Sequence, residues 1–317
     1  MNIIVMDLEW NQNTATKKER SSDKPIFEII EIGAVKLNQD YEIIDKFSQL
    51  IKPQIYHTMH KITADLIHLQ MNELSNGKFF SEVLEEFIEW CGEDYIFATW
   101  GPLDLLELQR NMKYYKADPL AEGPIKFYDV QKLFSLGVMK EKTRKTLEFA
   151  IDYFQVKKDI PFHRAFSDAY YTAKVLKKIA NSDLLQFVSF DTYNIPKTKK
   201  EEVKIAFPGY FKYISQGYEY KSEVMDDKEV SSTKCYLCHK NLKKKMKWFS
   251  PNGKHYYSIA CCDVHGLIKY KVRLRKTEDK KYYAIKTSKF VTEEKVKKLQ
   301  EEWKKNKEEK NKLPAPK

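Results

Sequence analysis

The run Ile3-Ile4-Val5-Met6-Asp7-Leu8-Glu9 carries two carboxylates inside an otherwise apolar stretch. Large and β-branched apolar side chains suit a packed strand, and alternation along that strand sends Asp7 and Glu9 to one face. Like charges so close repel unless something positive sits between them, and a divalent cation is the obvious candidate. Three later residues have chemistry that fits such a site. Asp104 follows the strand-like FATW and the breaker GP at the start of a helical pattern, and Asp168 opens another helix five residues after His163 in HRAFSD. Strand ends and helix starts on one side of an α/β sheet are where sites assemble. Each residue also has a bland reading: the aspartates as helix caps or first-turn dipole partners, His163 as a surface residue.

A second constellation lies late in the chain. Cys235-x2-Cys238 and Cys262-x2-His265 are two knuckle-like pairs separated by twenty-three residues, a spacing that lets four side chains close on one tetrahedral ion. The pattern predicts a structural zinc site. Cys261 rivals Cys262, which restores the x2 spacing and leads into His265-Gly266; His239 and His255 are further candidates. A closed shell of four ligands leaves no open position for catalysis, so the zinc would fold a small binding domain. Beyond it, Lys269, Lys271, Arg273 and Arg275 alternate with Tyr270, Val272 and Leu274. Four cations on one strand face match a phosphate backbone track for single-stranded RNA or DNA. A plain solvated face is the alternative, as is a zinc module that recognises a protein.

Asp7-x-Glu9, Asp104 after WGPL, and His163-x4-Asp168 in FHRAFSDAYYTA resemble the three exonuclease motifs of the DnaQ-like DEDD superfamily, in its branch with a histidine. EIIEIGAVKL is similar to that family's second strand, FSQLIKPQI to its third, and RKTLEFAIDYFQV to the helix before the last motif. The resemblance covers roughly residues 1–185, and WGPLD is similar to the subgroup that trims RNA 3′ ends and to bacterial KapD-like proteins. It implies a ribonuclease H-like fold and metal-dependent hydrolysis of phosphodiesters from the 3′ end, RNA favoured over DNA. It further implies two Mg2+ or Mn2+ ions about 3.5–4 Å apart, held by carboxylates because these ions want oxygen ligands. Asp7 would bridge both, Glu9 and Asp168 would hold the ion of the nucleophilic water, Asp104 would serve the second through water, and His163 would be the general base. Leu8, Trp10 and Trp100 are core residues or neighbours of a base-stacking pocket. The basic, polar loop from Asn11 to Lys24 beside the site matches no motif of the family. A catalytically inactive binding or scaffold protein with the same fold is the alternative, and a complete set of five motif residues argues against it.

These residues need elements to position them. Residues 1–185 read as an α/β domain: IIVMDLEW, then two strands in FEIIEIGAVKLNQDYEIIDKFSQLI joined by a turn at Asn38 to Asp40, a short strand DYIFATW, and four helical patterns beginning SEVLEEFIEWCG, DLLELQRNMKYY, RKTLEFAIDYF and SDAYYTAKVLKKIA. Residues 186–233 read as a connecting region with IPK and FPG as breakers, 234–290 as a β-rich zinc-binding basic module containing a hairpin, and 291–317 as a charged helix or tail with Val296, Leu299 and Trp303 on one stripe. The expected class is α/β, a mixed sheet flanked by helices plus a small β-rich domain.

Composition agrees with that division. The chain of 317 residues has 56 Lys+Arg against 45 Asp+Glu; residues 186–317 hold 32 against 17, which leaves 24 against 28 for residues 1–185. An acidic first part carries the metal chemistry and a basic second part meets a polyanion, although a lysine-rich proteome would raise such counts by itself. Five cysteines, four of them gathered late, are not the scattered framework of a secreted protein. The N-terminal apolar run is short, lacks a basic leader and reaches Asp7 at once, and no membrane span is legible; the expected location is the cytoplasm.

Overall fold

Ile3 to Met6 form the centre of β1 (Asn2–Gln12), and their burial on both sides sets the architecture of the first part of the chain. The computed structural model describes residues 1–12, 24–67, 69–180 and 183–312. Its two units are Met1–Ala121 with Ile125–Asp191, and Glu122–Pro124 with Thr192–Lys317. In the first, β1 pairs antiparallel with β2 (Phe27–Leu37), which pairs with β3 (Ile43–Leu50) through the turn at Asn38. On its other edge β1 runs parallel to β4 (Tyr95–Thr99), then come β5 (Ile125–Asp129) and β6 (Ser189–Asp191), giving the order β3-β2-β1-β4-β5-β6.

Short helices α1 (Lys61–Ile67) and α2 (Met71–Leu74) precede α3 (Phe80–Cys91) and α4 (Leu103–Tyr114), which bury Phe80, Val83, Phe87, Leu105 and Leu108 against Ile4, Met6 and Leu8. The opposite face of β1 carries Ile3 and Val5. These pack with α5 (Val130–Lys132), the π-helical stretch Leu133–Val138, α6 (Leu147–Tyr153) and α7 (Ala165–Ala180). A mixed sheet with a helical layer on each face is the α/β architecture expected of these residues. Of the loop read from Asn11 to Lys24 beside the site, Asn11 and Gln12 are the end of β1, and residues 13–23 fall outside the described residues.

The second unit corrects one expectation. The stretch 186–233 read as a connector carries sheet strands: β6 belongs to the first unit, β7 (Val203–Phe207) and β8 (Tyr210–Ile214) form a hairpin, and β8 pairs with β12 (Tyr282–Phe290). The FPG read as a breaker is the hairpin turn. Pro208 suits its first central position and Gly209, at φ 82°, its second, where only glycine turns without strain. Helices α8 (Lys221–Asp226) and α9 (Lys228–Ser231) follow, and the sheet β7-β8-β12-β11-β10-β9 is completed by β9 (Lys244–Phe249), β10 (His255–Cys262) and β11 (Gly266–Lys276). Strands of five residues with aromatics on both faces give too little alternation to read from sequence. The closing helix α10 (Glu293–Lys312) lays Val296, Leu299 and Trp303 against Met246 and Ile259. No described helix is long and apolar enough to cross a membrane.

Candidate functional site

Backbone register decides what stands beside the first two carboxylates. Asp7 lies opposite Gly33 and Glu9 opposite Glu31, and the ladder shifts between Glu9 and Trp10, a bulge immediately after the second carboxylate. A Cβ on Gly33 would sit 1.9 Å from the backbone nitrogen of Phe166 and 2.1 Å from the carbonyl carbon of Ala165. Only glycine lets the start of α7 rest directly on the sheet next to Asp7. That contact delivers Asp168, and ligand oxygens of Asp7, Glu9 and Asp168 lie within 4.8 Å of one another.

The start of α7 is also held by charge. Arg164 donates from Nε (3.0 Å) and Nη2 (2.8 Å) to the two oxygens of Glu31, a forked pair whose carboxylate is 1% exposed. Glu31 accepts in addition from the N–H of Ala165 at 3.4 Å. A bidentate guanidinium fixes both distance and orientation, so β2 and α7 cannot slide apart without stranding a buried carboxylate. Gly33, Glu31 and Arg164 escaped the sequence reading. The signal was present in EIIEIG, where Glu31 and Gly33 share one strand face, and in the Arg164 that follows His163.

Asp104 approaches from the other layer. It stands in the first turn of α4, 6% exposed, and accepts from its own N–H and from that of Leu8, where β1 has run past β4. It is not one of the three clustered carboxylates but is close enough to act on their charge. His163 is exposed at the rim in a left-handed turn, φ 64°, and its backbone N–H donates to Asp168. Leu8 is core at 3% exposure, Trp10 packs on Phe27, and Trp100 packs on Phe134.

The electrostatics of this group are those of a cation site. Burial first, and then the charges of Asp104, Asp168, Glu9 and Glu31, hold Asp7 well above the usual carboxylate range. Burial followed by Asp168 and Glu31 pushes Glu9 up to about 8. Asp104 is pushed up to about 7, burial outweighing its two backbone donors. Burial raises Asp168 as well, against the N–H and charge of His163. Arg164 is committed to Glu31, so full ionisation at neutral pH needs further positive charge. Asp168 Oδ1 is buried without a hydrogen-bond partner among the described residues. An all-oxygen donor set with one orphaned oxygen fits a hard divalent cation such as Mg2+ or Mn2+.

The second cluster has a different character. Cys235, Cys238, Cys262 and His265 bring ligand atoms within 4.8 Å of one another. The separations are 3.7 Å between the sulfurs of Cys238 and Cys262, and 3.5 Å from His265 Nδ1 to the sulfurs of both Cys235 and Cys262. Four ligands at Zn2+ bond lengths would have tetrahedral edges of about 3.8 Å for sulfur to sulfur and about 3.5 Å for sulfur to nitrogen, so the residues fit that ion. Burial raises the Cys262 thiol, but hydrogen bonds from His265 and the Val264 backbone bring it down to about 6, towards the thiolate that metals bind. Cys261 points its sulfur to the carbonyl of Cys262 instead, and His255 pairs with Asn252.

On β11, Tyr270 and Val272 are fully buried while Lys271, Arg273 and Arg275 are exposed; Lys269 is half-buried, its Nζ 5.0 Å from the ring of Tyr257. The alternation therefore places the cations on one face.

The sequence pattern of the RNase_T family, described as exonuclease, matches residues 4–176. The chain is 25% identical over 193 residues to a DNA polymerase III of the PolC type from Staphylococcus haemolyticus, and 26% identical over 192 residues to that of Staphylococcus epidermidis. These stretches are 61% and 60% of this chain, which spans 13% of the length of either relative. Among solved structures, the nuclease domain of 3′hExo, a DEDDh family member bound to rAMP, superposes with a TM-score of 0.52 at 18% identity, covering 60% of this chain and 96% of that one. A 3′-exonuclease that recognises the histone mRNA stem-loop superposes with a TM-score of 0.50 at 16% identity, covering 62% and 92%. At such identities these structures speak for the fold.

Proposed function

We propose, from the premise that the chain belongs to the exonuclease (RNase_T) family, that it removes nucleotides from the 3′ end of single-stranded nucleic acid, RNA in preference to DNA. The reading places it in the family's histidine branch, near the RNA-trimming and KapD-like subgroup. One observation carries it: Asp7, Glu9 and Asp168 converge from a strand and a helix that a glycine allows to touch, with Asp104 and His163 beside them.

Asp7, Glu9 and Asp168 would hold divalent metal, with Asp104 as a further carboxylate beside them. Bound there, such ions neutralise the scissile phosphate and make hydroxide available near neutral pH. The carboxylates' role is to stay ionised and fixed in place, and Gly33 and the Glu31–Arg164 pair serve it by locking α7 to the sheet. His163 stands at the rim, where an imidazole nitrogen can take a proton from the attacking water and release it to solvent. The Cys235, Cys238, Cys262 and His265 cluster would hold a structural zinc that orders the second unit, and Lys269, Lys271, Arg273 and Arg275 would track phosphates.

The test is digestion of matched 5′-labelled single-stranded RNA and DNA in manganese and in excess EDTA. The expected result is a ladder shortening from the 3′ end, faster for RNA and absent in EDTA. Salt-sensitive binding of both strands without cleavage would instead identify an inactive binding protein.

A further inference from the structure

In the second unit the register puts Lys286 opposite both Val272 and Tyr213, and Tyr213 opposite Lys204. Their side chains therefore lie on the face away from Lys271 and Arg273. They help to line a cavity of about 300 Å³ whose walls include Phe211, Tyr236 and Lys234. That volume is at the small end of ligand sites, about 300–1,000 Å³, and suits one nucleotide rather than a folded partner.

Three lysines line this cavity against the single carboxylate of Glu229. Lys286 is 5% exposed, and its Nζ donates to the carbonyls of Glu229 and Ser232 and to the Ser232 hydroxyl at 2.8, 2.8 and 3.0 Å, all uncharged groups. It orders the wall; burial pushes its ammonium down to about 7, so the anion site rests on Lys204 and Lys234. Lys204 and Lys234 are half-exposed and reach the same Glu229 carboxylate, at 3.9 and 3.5 Å. Two cations converging on one anionic group are already spaced to share an anion, and the half-exposed Glu229 side chain can yield that place to a phosphate. Beside them the rings of Phe211 and Tyr236 lie within 19° of parallel with centroids 6.3 Å apart, and aromatic faces of this kind stack bases whatever the sequence. Tyr236 sits between Cys235 and Cys238, in the knuckle that the metal cluster would hold rigid.

We propose that this cavity binds one nucleotide of a single-stranded nucleic acid, its base on the Phe211 and Tyr236 rings and its phosphate between Lys204 and Lys234. The inference rests on the nuclease reading for the identity of the polymer. It adds a base-holding site on the face of the sheet opposite the Lys269–Arg275 row.

The test measures binding of a fluorescein-labelled oligouridylate to the full-length, zinc-loaded chain by anisotropy, in the Asp7→Asn background so that the ligand stays intact. Lys204→Ala with Lys234→Ala should weaken binding about tenfold or more and make the log–log salt dependence shallower by about 0.7, the value for one phosphate contact on a single strand. Both lysines are half-exposed, so the fold should hold. As a second measurement, photocrosslinks from a thiouridine-substituted oligomer should map to the peptides carrying Phe211 and Tyr236. Unchanged affinity in the lysine variant, or crosslinks confined to β11, would overturn the site. Trimming of the same oligomer by the wild-type chain in manganese, run in parallel, separates the two failures: trimming with unchanged affinity sinks the site alone, and neither binding nor trimming by wild type sinks both readings.

Discussion

The two ligand clusters of this chain solve opposite problems. The Cys235, Cys238, Cys262 and His265 cluster is closed: three soft sulfurs and an imidazole stand at separations that one tetrahedral ion would satisfy. The Asp7, Glu9 and Asp168 cluster is open and strained by charge, with Asp104 adding to the repulsion and one oxygen of Asp168 left unpartnered. The protein around it does the holding, through Gly33 and the Glu31–Arg164 fork. A site whose ligands are fixed by the fold can let its cations exchange water and substrate oxygens; a site whose fold is fixed by the cation cannot. The expectation is that metal loss costs the first unit activity and the second unit structure.

The comparison is broken most easily at Asp7. Asp7→Asn should lower trimming by at least about 10³-fold while leaving the metal-free melting temperature unchanged or higher, because it removes one of several repelling charges. Loss of activity together with unfolding would mean that the carboxylates serve stability. Cys262→Ser should abolish zinc stoichiometry and melt the second unit, a loss of several kcal/mol, whereas Cys261→Ser should keep both; zinc content and melting curves read the difference. Equal effects of the two would contradict the ligand assignment.

Gly33→Ala sharpens the claim that the fold holds the open site. It should destabilise the first unit by about 3 kcal/mol or more, because its Cβ has no room against the Phe166 backbone. A variant that unfolds at the wild-type denaturant midpoint would show that α7 is free to move.

A smaller effect follows from charge. Glu9 and Asp104 titrate at about 8 and about 7 in the folded chain, against about 4 when unfolded. Between those values the folded, metal-free protein binds more protons than the unfolded chain, so this contribution to stability is present at low pH and is lost as pH rises towards 8. The metal-free melting temperature should therefore fall over that window. Added manganese should raise it more at the alkaline end, and a shift independent of pH would dissociate the carboxylates from the ion.

What could be read from the sequence follows the same division. The residues proposed as ligands are legible because chemistry limits such groups to few types at fixed spacings, as in Asp7-x-Glu9 or Cys262-x2-His265. Strands β1 to β4, the turn at Asn38 and helices α3, α4, α6 and α7 are legible because their longer periodic runs leave one choice of face, whereas the five-residue β5 and the short helices α1, α2 and α5 were not read. Gly33 and Glu31 were not, since their meaning depends on a helix more than a hundred residues away. The hairpin of β7 and β8 was missed because its strands are short and its turn looks like a break. The cavity around Lys286 was missed because its lining comes from four separate stretches of chain.

The most direct test of the central claim is release of the 3′-terminal nucleotide from single-stranded RNA in manganese, followed for wild type and Asp7→Asn at matched zinc content. The account predicts mononucleotide from wild type, none in EDTA, and none from the folded Asp7→Asn chain. Equal release by the two proteins, or release that survives EDTA, would contradict it.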